Sequence, residues 1–350
     1  MENLTTSYKK SLPYSRILML KTFQVFTLFL ISTLFADRLI YFVPQELTDR
    51  KVEMFNLTTT PCTYQEMVAQ ILNGTDYRIK NFEAFRTEEE IERVILYNLP
   101  KDSDCLQLLS HLPKEKKVIF LWEPPIILPK TYKKENLEQF GKVFTWDDDL
   151  VDNVKFFKFH YPVHKEMIKD LTPFEKKSLC TTIISMKASK HKNELYSERK
   201  KAIEYFEKNH SDDFLFYGVG WEKANFKTYN GTVKDKIETL KNYRFCICYE
   251  NMCNIKGYIT EKIFDAFAAG CIPIYWGASN VEDYIPTNCF IDKRKFKNYD
   301  ELYSFIKNMN KSDYESHLSH IRDFLDSDRS KLFSCRCFAE QFVTQAIKDK

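Results

Sequence analysis

Glycine is scarce in this chain, with 8 residues in 350, and no Gly/Ser-rich or Pro-rich stretch interrupts it. That excludes an architecture of modules on flexible linkers. No fixed-period self-similarity is present, which excludes a solenoid. The formal net charge is only +3, and without a domain-scale basic block nucleic acid is not an implied partner. No P-loop, HExxH or CxxC pair occurs, so three common ways of holding phosphate or zinc are missing. Ten cysteines in 350 residues do not make a disulfide scaffold. Cys246 and Cys248 alternate on one apparent strand and read as small core residues, while Cys335 and Cys337 lie too close together for zinc CxxC spacing.

What the sequence does have is apolar material, 44% hydrophobic and 15% aromatic. The length is comfortable for two domains. Near the N-terminus, Thr22 to Ala36 carries no charge, with Lys9, Lys10, Arg16 and Lys21 before it and Asp37 and Arg38 after it. A bilayer span needs ~20 apolar residues, and Ile17–Leu20 and Leu39–Val43 extend the run. An uncleaved signal-anchor and a cleavable signal peptide both fit, as does a buried amphipathic helix. Leu34, at the −3 position for cleavage after Ala36, favours the anchor, and the basic flank then keeps the N-terminus cytoplasmic. Asn-X-Ser/Thr sequons at Asn3, Asn56, Asn73, Asn209, Asn230 and Asn310 fit a secretory lumen.

From about Lys51 onward, short apolar runs alternate with amphipathic segments. Arg93–Tyr97, Lys117–Trp122, Phe156–Val163, Leu179–Met186, Phe214–Tyr217, Arg244–Tyr249, Ile272–Trp276 and Cys289–Ile291 read as strands. Helical spacing appears in Ser197–Lys208 and Asp300–Asn308. This alternation predicts an α/β fold with parallel sheets, in two Rossmann-like domains facing across a cleft. The expected division is an N-terminal stub and hydrophobic segment over 1–44, a first Rossmann-like domain over 45–165, a second over 166–334 and a tail over 335–350. Ligands of such sheets sit outside the carboxyl ends of the strands.

The segment Tyr243 to Asp292 reads as strand, loop, helix, strand. Thr260 suits an N-cap, and Glu261 lies in the first turn, where the helix dipole favours a carboxylate. The free N–H groups there, with Lys262 beside them, make a site for phosphate oxygens, and Tyr258 adds a flat ring at its mouth. Ordinary surface charges on a helix start are the competing reading.

The run Glu250-Asn251, then Gly257-Tyr258-Ile259-Thr260-Glu261-Lys262, then Ile272-Pro273-Ile274-Tyr275-Trp276-Gly277 resembles the donor-binding signature of the α1,3/α1,4-fucosyltransferases, and weaker resemblance extends from Lys117. The resemblance implies a GT-B fold, GDP-fucose as donor, a hydroxyl of an oligosaccharide or glycoconjugate as acceptor (the 3-OH of GlcNAc or Glc), and inversion at the anomeric carbon. It implies that the domain over 45–165 is the acceptor side and that the domain over 166–334 binds the donor, with no tightly bound cofactor and no metal at the diphosphate. Glu250, Asn251, Tyr258, Thr260, Glu261 and Lys262 would hold the nucleotide sugar, and Arg199 would clamp the diphosphate with its guanidinium fork; without the resemblance Arg199 is one more charge on a charged helix. Glu123, at the carboxyl end of Lys117–Trp122, would be the catalytic base, or else a strand-end carboxylate in solvent. A eukaryotic source implies a Golgi single-pass type II protein, a bacterial one the cell envelope.

Two residues depart from the pattern: Met252 stands where a small hydroxyl residue is usual after Glu-Asn, and Met186 where an Asn commonly follows Ser185. Each puts an apolar side chain where a polar neighbour of the donor is expected, which keeps a different nucleotide sugar open as an alternative, beside a catalytically silent binding protein. Asp147-Asp148-Asp149 invites a metal assignment but falls in the acceptor half, so a solvated acidic turn is expected there.

Overall fold

The computed structural model describes residues 37–44, 55–58, 60, 62–81, 90–101 and 103–348. The apolar run 22–36 and Asn3 lie outside them. The strands are β1 Arg38–Val43, β2 Tyr77–Asn81, β3 Ile91–Tyr97, β4 Lys117–Phe120, β5 Lys142–Thr145, β6 Phe156–Lys158, β7 Ser178–Ile183, β8 Phe214–Tyr217, β9 Tyr243–Tyr249, β10 Ile272–Trp276 and β11 Ile291–Asp292. The principal helices are α1 Tyr64–Leu72, α2 Ser103–Ser110, α3 Tyr196–Asn209, α4 Lys236–Leu240, α5 Glu261–Ala268, α6 Tyr299–Asn308, α7 Lys311–Asp326 and α8 Cys335–Gln341, the last continuing into a π-helical turn over Phe342–Ile347.

They build two open parallel sheets, one six-stranded in the order β2-β1-β3-β4-β5-β6 and one five-stranded in the order β11-β10-β9-β7-β8. Parallel strands covered on both faces lose all contact with water, so their sequences run apolar without alternation. β4 (KVIF) is buried at every position and β10 (IPIYW) at all but its last. The chain crosses from one sheet to the other after β6. There the Val163 and His164 amides donate to the Phe333 carbonyl and the Ile168 amide to that of Ala268, which ties the crossing to the second domain.

The two ends of the expected domain division move. Arg38–Val43, placed with the N-terminal stub from the sequence, is an inner strand hydrogen-bonded to β2 and β3. A six-residue, almost wholly apolar run satisfies a buried strand as well as it extends a hydrophobic segment. Residues 335–347 are not a loose tail. Helix α8 and its π turn return to the first domain and bury Phe338, Ala339, Phe342, Val343, Ala346 and Ile347 against α1 and the sheet. Among the described residues no helix is long and apolar enough to cross a membrane.

Phe338 shows how tightly that return is packed. Its ring lies 4.8 Å from Tyr64, 5.5 Å from Phe120 and 5.8 Å from Trp122, centroid to centroid. Truncating a buried phenylalanine loses its transfer free energy and leaves a cavity. Phe338→Ala is expected to cost about 3–5 kcal/mol, read as a fall in the urea midpoint with the slope unchanged. A cost below about 1 kcal/mol would mean that the return is not an integral part of the first domain.

Candidate active site

A cleft of about 440 Å³ opens between the carboxyl ends of the two sheets. Trp122, Glu123 and Tyr161 line it from the first domain, and Arg199, Asn251, Tyr258, Glu261, Lys262, Lys187 and Lys236 from the second. Its size is that of a small-molecule site.

Glu123 is held by its backbone. Its N–H donates to Asn98 Oδ1 at 2.9 Å, and its carbonyl accepts from the Tyr132 hydroxyl at 2.7 Å. The Trp122 carbonyl accepts from the Tyr161 hydroxyl. The Trp122 ring is stacked between Tyr97 at 4.6 Å and Phe159 at 5.7 Å. A strand end clamped on both sides fixes where the carboxylate can reach.

Arg199 sits on α3 and is buried. Its Nε and Nη2 donate to the Tyr249 carbonyl at 3.1 and 2.7 Å, and Nη2 also donates to Asn251 Oδ1 at 2.9 Å. These acceptors are neutral and orient the guanidinium. Burial lowers its pKa, the nearby Glu250 and Glu261 carboxylates oppose that by favouring the charged form, and the side chain lines the cleft.

The loop-to-helix junction is organised from below. Glu250, at the end of β9, is wholly buried. Its Oε1 accepts the Thr260 N–H at 2.8 Å, and its Oε2 accepts the Thr260 hydroxyl at 2.7 Å and pairs with Lys262 Nζ at 3.1 Å. Thr260 therefore does not cap α5 with its side chain as expected, because its hydroxyl is turned down to Glu250. Neither Glu250 nor Thr260 lines the cleft; they hold Glu261 and Lys262, which do. Burial lowers the Lys262 ammonium, but Glu250 and Glu261 outweigh it and hold it above the ordinary lysine range.

Tyr258 also differs from expectation. Its ring is a buried wall, 4.5 Å from Trp146 of the first domain, and not a plate at the mouth. The two departures from the family pattern lie outside the cleft lining. Met252 is buried in the first-domain cluster with Trp146 and Tyr258, and Met186 is half exposed; neither lines the cleft. Lys236 and Lys187 do line it and were not found by sequence reasoning. Lys236 begins α4, whose N-cap Asp235 accepts from Ile237 and Glu238; the cap residue before an amphipathic start was the available signal. Lys236 pairs with the buried Asp265 at 3.2 Å, and Lys165 pairs with the other oxygen of that carboxylate.

The aspartate run lies at a turn in which Asp149 is exposed, as expected, but Asp148 is withdrawn from solvent. Asp148 is engaged by Lys158 at 2.5 Å, Tyr284 at 2.7 Å and Asn280 at 3.0 Å. Among the described residues no group of three His, Cys, Asp or Glu is arranged to hold a metal ion.

Partial burial raises the Glu261 carboxyl, but Lys262 and Lys236 outweigh it and hold it at about 2, against 4.5 for the free group. A carboxyl depressed in the folded state adds stability that is present above the unfolded pKa and is lost as pH falls toward the folded one. The stability lead of wild type over Glu261→Gln is thus expected to be constant above pH 4.5 and to shrink steadily from there toward pH 2. Urea midpoints at a series of pH values check this, and a lead that does not change with pH contradicts the pairing.

With this geometry in hand, likeness to known proteins can be placed on it. Residues 172–335 match the family model described as glycosyltransferase family 10 (fucosyltransferase) C-term. The chain is 42% identical over 88 residues to the α-(1,3)-fucosyltransferase FucT of Helicobacter pylori, covering 25% of this chain and 18% of that one. It is 27% identical over 228 residues to the 4-galactosyl-N-acetylglucosaminide 3-alpha-L-fucosyltransferase 9 of Mus musculus, covering 62% and 57%. The matched segments thus span less than two thirds of these relatives. A crystal structure of an α1,3-fucosyltransferase with GDP-fucose superposes with a TM-score of 0.52 at 17% identity, covering 84% of this chain and 92% of that one; at that identity the likeness establishes the two-domain GT-B fold. Residues 172–335 are thus similar to the C-terminal domain of glycosyltransferase family 10, the fucosyltransferases.

Proposed function

We propose that the protein transfers L-fucose from GDP-fucose to a glycan hydroxyl, the 3-OH of GlcNAc or Glc, with inversion at the anomeric carbon. The observation that carries this reading is the meeting, in one cleft, of Glu123 from the first domain with Arg199, Glu261 and Lys262 from the second. The relatives named for fucose transfer to a 3-position support the sugar and the linkage.

In the proposed reaction the Glu123 carboxylate takes the proton of the acceptor hydroxyl as its oxygen attacks the anomeric carbon and the bond to the diphosphate breaks. Negative charge then builds on the departing GDP. Arg199, Lys262 and the first turn of α5 face that charge already oriented, so no reorganisation is needed when it appears. A single displacement inverts the centre and needs no covalent nucleophile. The charge is met by fixed side chains and backbone amides, and the proposed sequence calls for no metal. The lysines around Glu261 keep it ionised, which suits accepting hydrogen bonds from sugar hydroxyls.

The same reading puts the chain on a membrane, in a type II orientation, through the segment Ile17 to Ala36, since Leu39–Val43 is taken up by β1. The charge asymmetry around that run supports it, and protease protection of the folded domains in sealed vesicles tests it.

Donor choice is tested by thermal shift. GDP and GDP-fucose, at about a hundredfold over Kd, should stabilise the protein by roughly 2.7 kcal/mol, and UDP-galactose and UDP-N-acetylglucosamine should leave the melting temperature unchanged. Stabilisation by the UDP-sugars instead overturns the fucose assignment, and no response to any nucleotide favours a catalytically silent protein. Glu123→Gln should lose about 10²–10⁴ in kcat with GDP affinity retained. Arg199→Ala should weaken GDP binding by about tenfold or more, as the loss of a hydrogen-bonded charge does. A Glu123→Gln enzyme with wild-type turnover removes the base from the mechanism.

A further inference from the structure

The wall of the cleft that carries Tyr258 belongs to the second domain but is fastened from the first. Gly257 donates its N–H to Asn280 Oδ1 at 2.9 Å, and Asn280 Nδ2 donates to Asp148 Oδ2 at 3.0 Å. Asp148 Oδ1 accepts from the Tyr284 hydroxyl at 2.7 Å and pairs with Lys158 Nζ at 2.5 Å. Lys158 in turn donates to the Trp146 carbonyl at 2.6 Å, and the Trp146 ring packs on Tyr258. The Asp148 N–H donates to the Lys256 carbonyl at 3.3 Å. One residue of the first domain thus reaches both polar groups of the Lys256–Gly257 peptide, its own N–H directly at the carbonyl and its carboxylate through Asn280 at the N–H.

The fit leaves no slack. Gly257 has φ +75°, and a Cβ there would run into Lys158 Nζ, the Trp146 carbonyl and the Asp148 carboxylate. Asp148 and Lys158 are each about one-fifth exposed, 21% and 22% at the side chain. A pair so withdrawn from water is screened less than a surface pair. The neighbouring pair Asp149–Lys256, at 2.7 Å, is 64% and 50% exposed and cannot bear the same load.

We propose that Asp148 is a positioning residue for the donor loop: from across the domain boundary it fixes Gly257, and through it Tyr258, in the conformation that forms the nucleotide-sugar wall. Its consequence for turnover rests on the function proposed above; its effect on the loop does not. The acidic run that resembles a metal motif acts here as an anchor, and its charge is satisfied by lysine, amide and phenol.

The test is hydrogen exchange of the peptide over residues 251–260, with donor kinetics beside it, in Asp148→Asn and, at the far end of the relay, Asn280→Ala. Each should speed exchange of the Gly257 amide by about tenfold or more, since a locally opened segment exchanges without global unfolding. Donor KM should rise by about tenfold with kcat and acceptor KM within about threefold, the cost of a lost charged hydrogen bond felt through the loop. Asp149→Asn should leave both readouts within about twofold. Unchanged exchange in both variants overturns the proposal, whatever happens to turnover. If Asp148→Asn does not fold, Asn280→Ala decides alone. A wild-type protein that binds no nucleotide removes the proposed function, while the exchange result still decides the role of Asp148.

Discussion

A carboxylate with no exposure to water must be matched group for group, or the chain will not fold around it. Glu250 is matched by the Thr260 amide, the Thr260 hydroxyl and the Lys262 ammonium. Those contacts join the end of β9 to the start of α5, so the strand and the helix cannot shift independently. Lys262 is thereby aimed, Glu261 is set on the cleft side of the first turn, and the last loop residues before Thr260 are delivered to the domain boundary. Most of what the second domain contributes to the cleft follows from that one buried charge.

Charge across the cleft is distributed by the same logic. Lys262 is balanced by Glu250 and Glu261, and Asp265 is shared between Lys165 and Lys236. Arg199 is set only against carbonyl oxygens. Arg199 therefore lines the cleft with no carboxylate bonded directly to it, although Glu250 and Glu261 lie close enough to favour its charge.

How much of this was legible in the sequence depended on whether a residue's role was local. β8 and β10 appear at the bounds their apolar runs give; β10 is buried on both faces, and β8, an edge strand with Leu215 and Tyr217 only half-buried, is still apolar at every position. β5 is four residues long and β2 is mostly polar, so neither stood out. β1 was absorbed into an adjoining apolar run, since hydrophobicity alone does not separate a strand from an anchor. In the site, Glu123, Arg199, Asn251, Tyr258, Glu261 and Lys262 line one cleft; the resemblance, not composition or periodicity, singled out Arg199. Glu250 and Thr260 lie beneath that lining, because spacing does not reveal which side of a loop faces the cleft. Lys236 and the anchoring role of Asp148 were invisible for a simpler reason. Each acts on residues far away in the chain, Asp265 in one case and Asn280 and Tyr284 in the other.

The first domain is assembled from both ends of the described chain: β1 at residues 38–43 is an inner strand, and residues 335–347 close its helical face. A polypeptide emerges from the ribosome in order. The second domain, encoded later than most of the first, can therefore reach its complete set of contacts sooner. The earlier-made sheet, complete at Lys158, must wait with α1 uncovered until residues 335–347 have been added, and during that interval its aromatic face is open to misassembly.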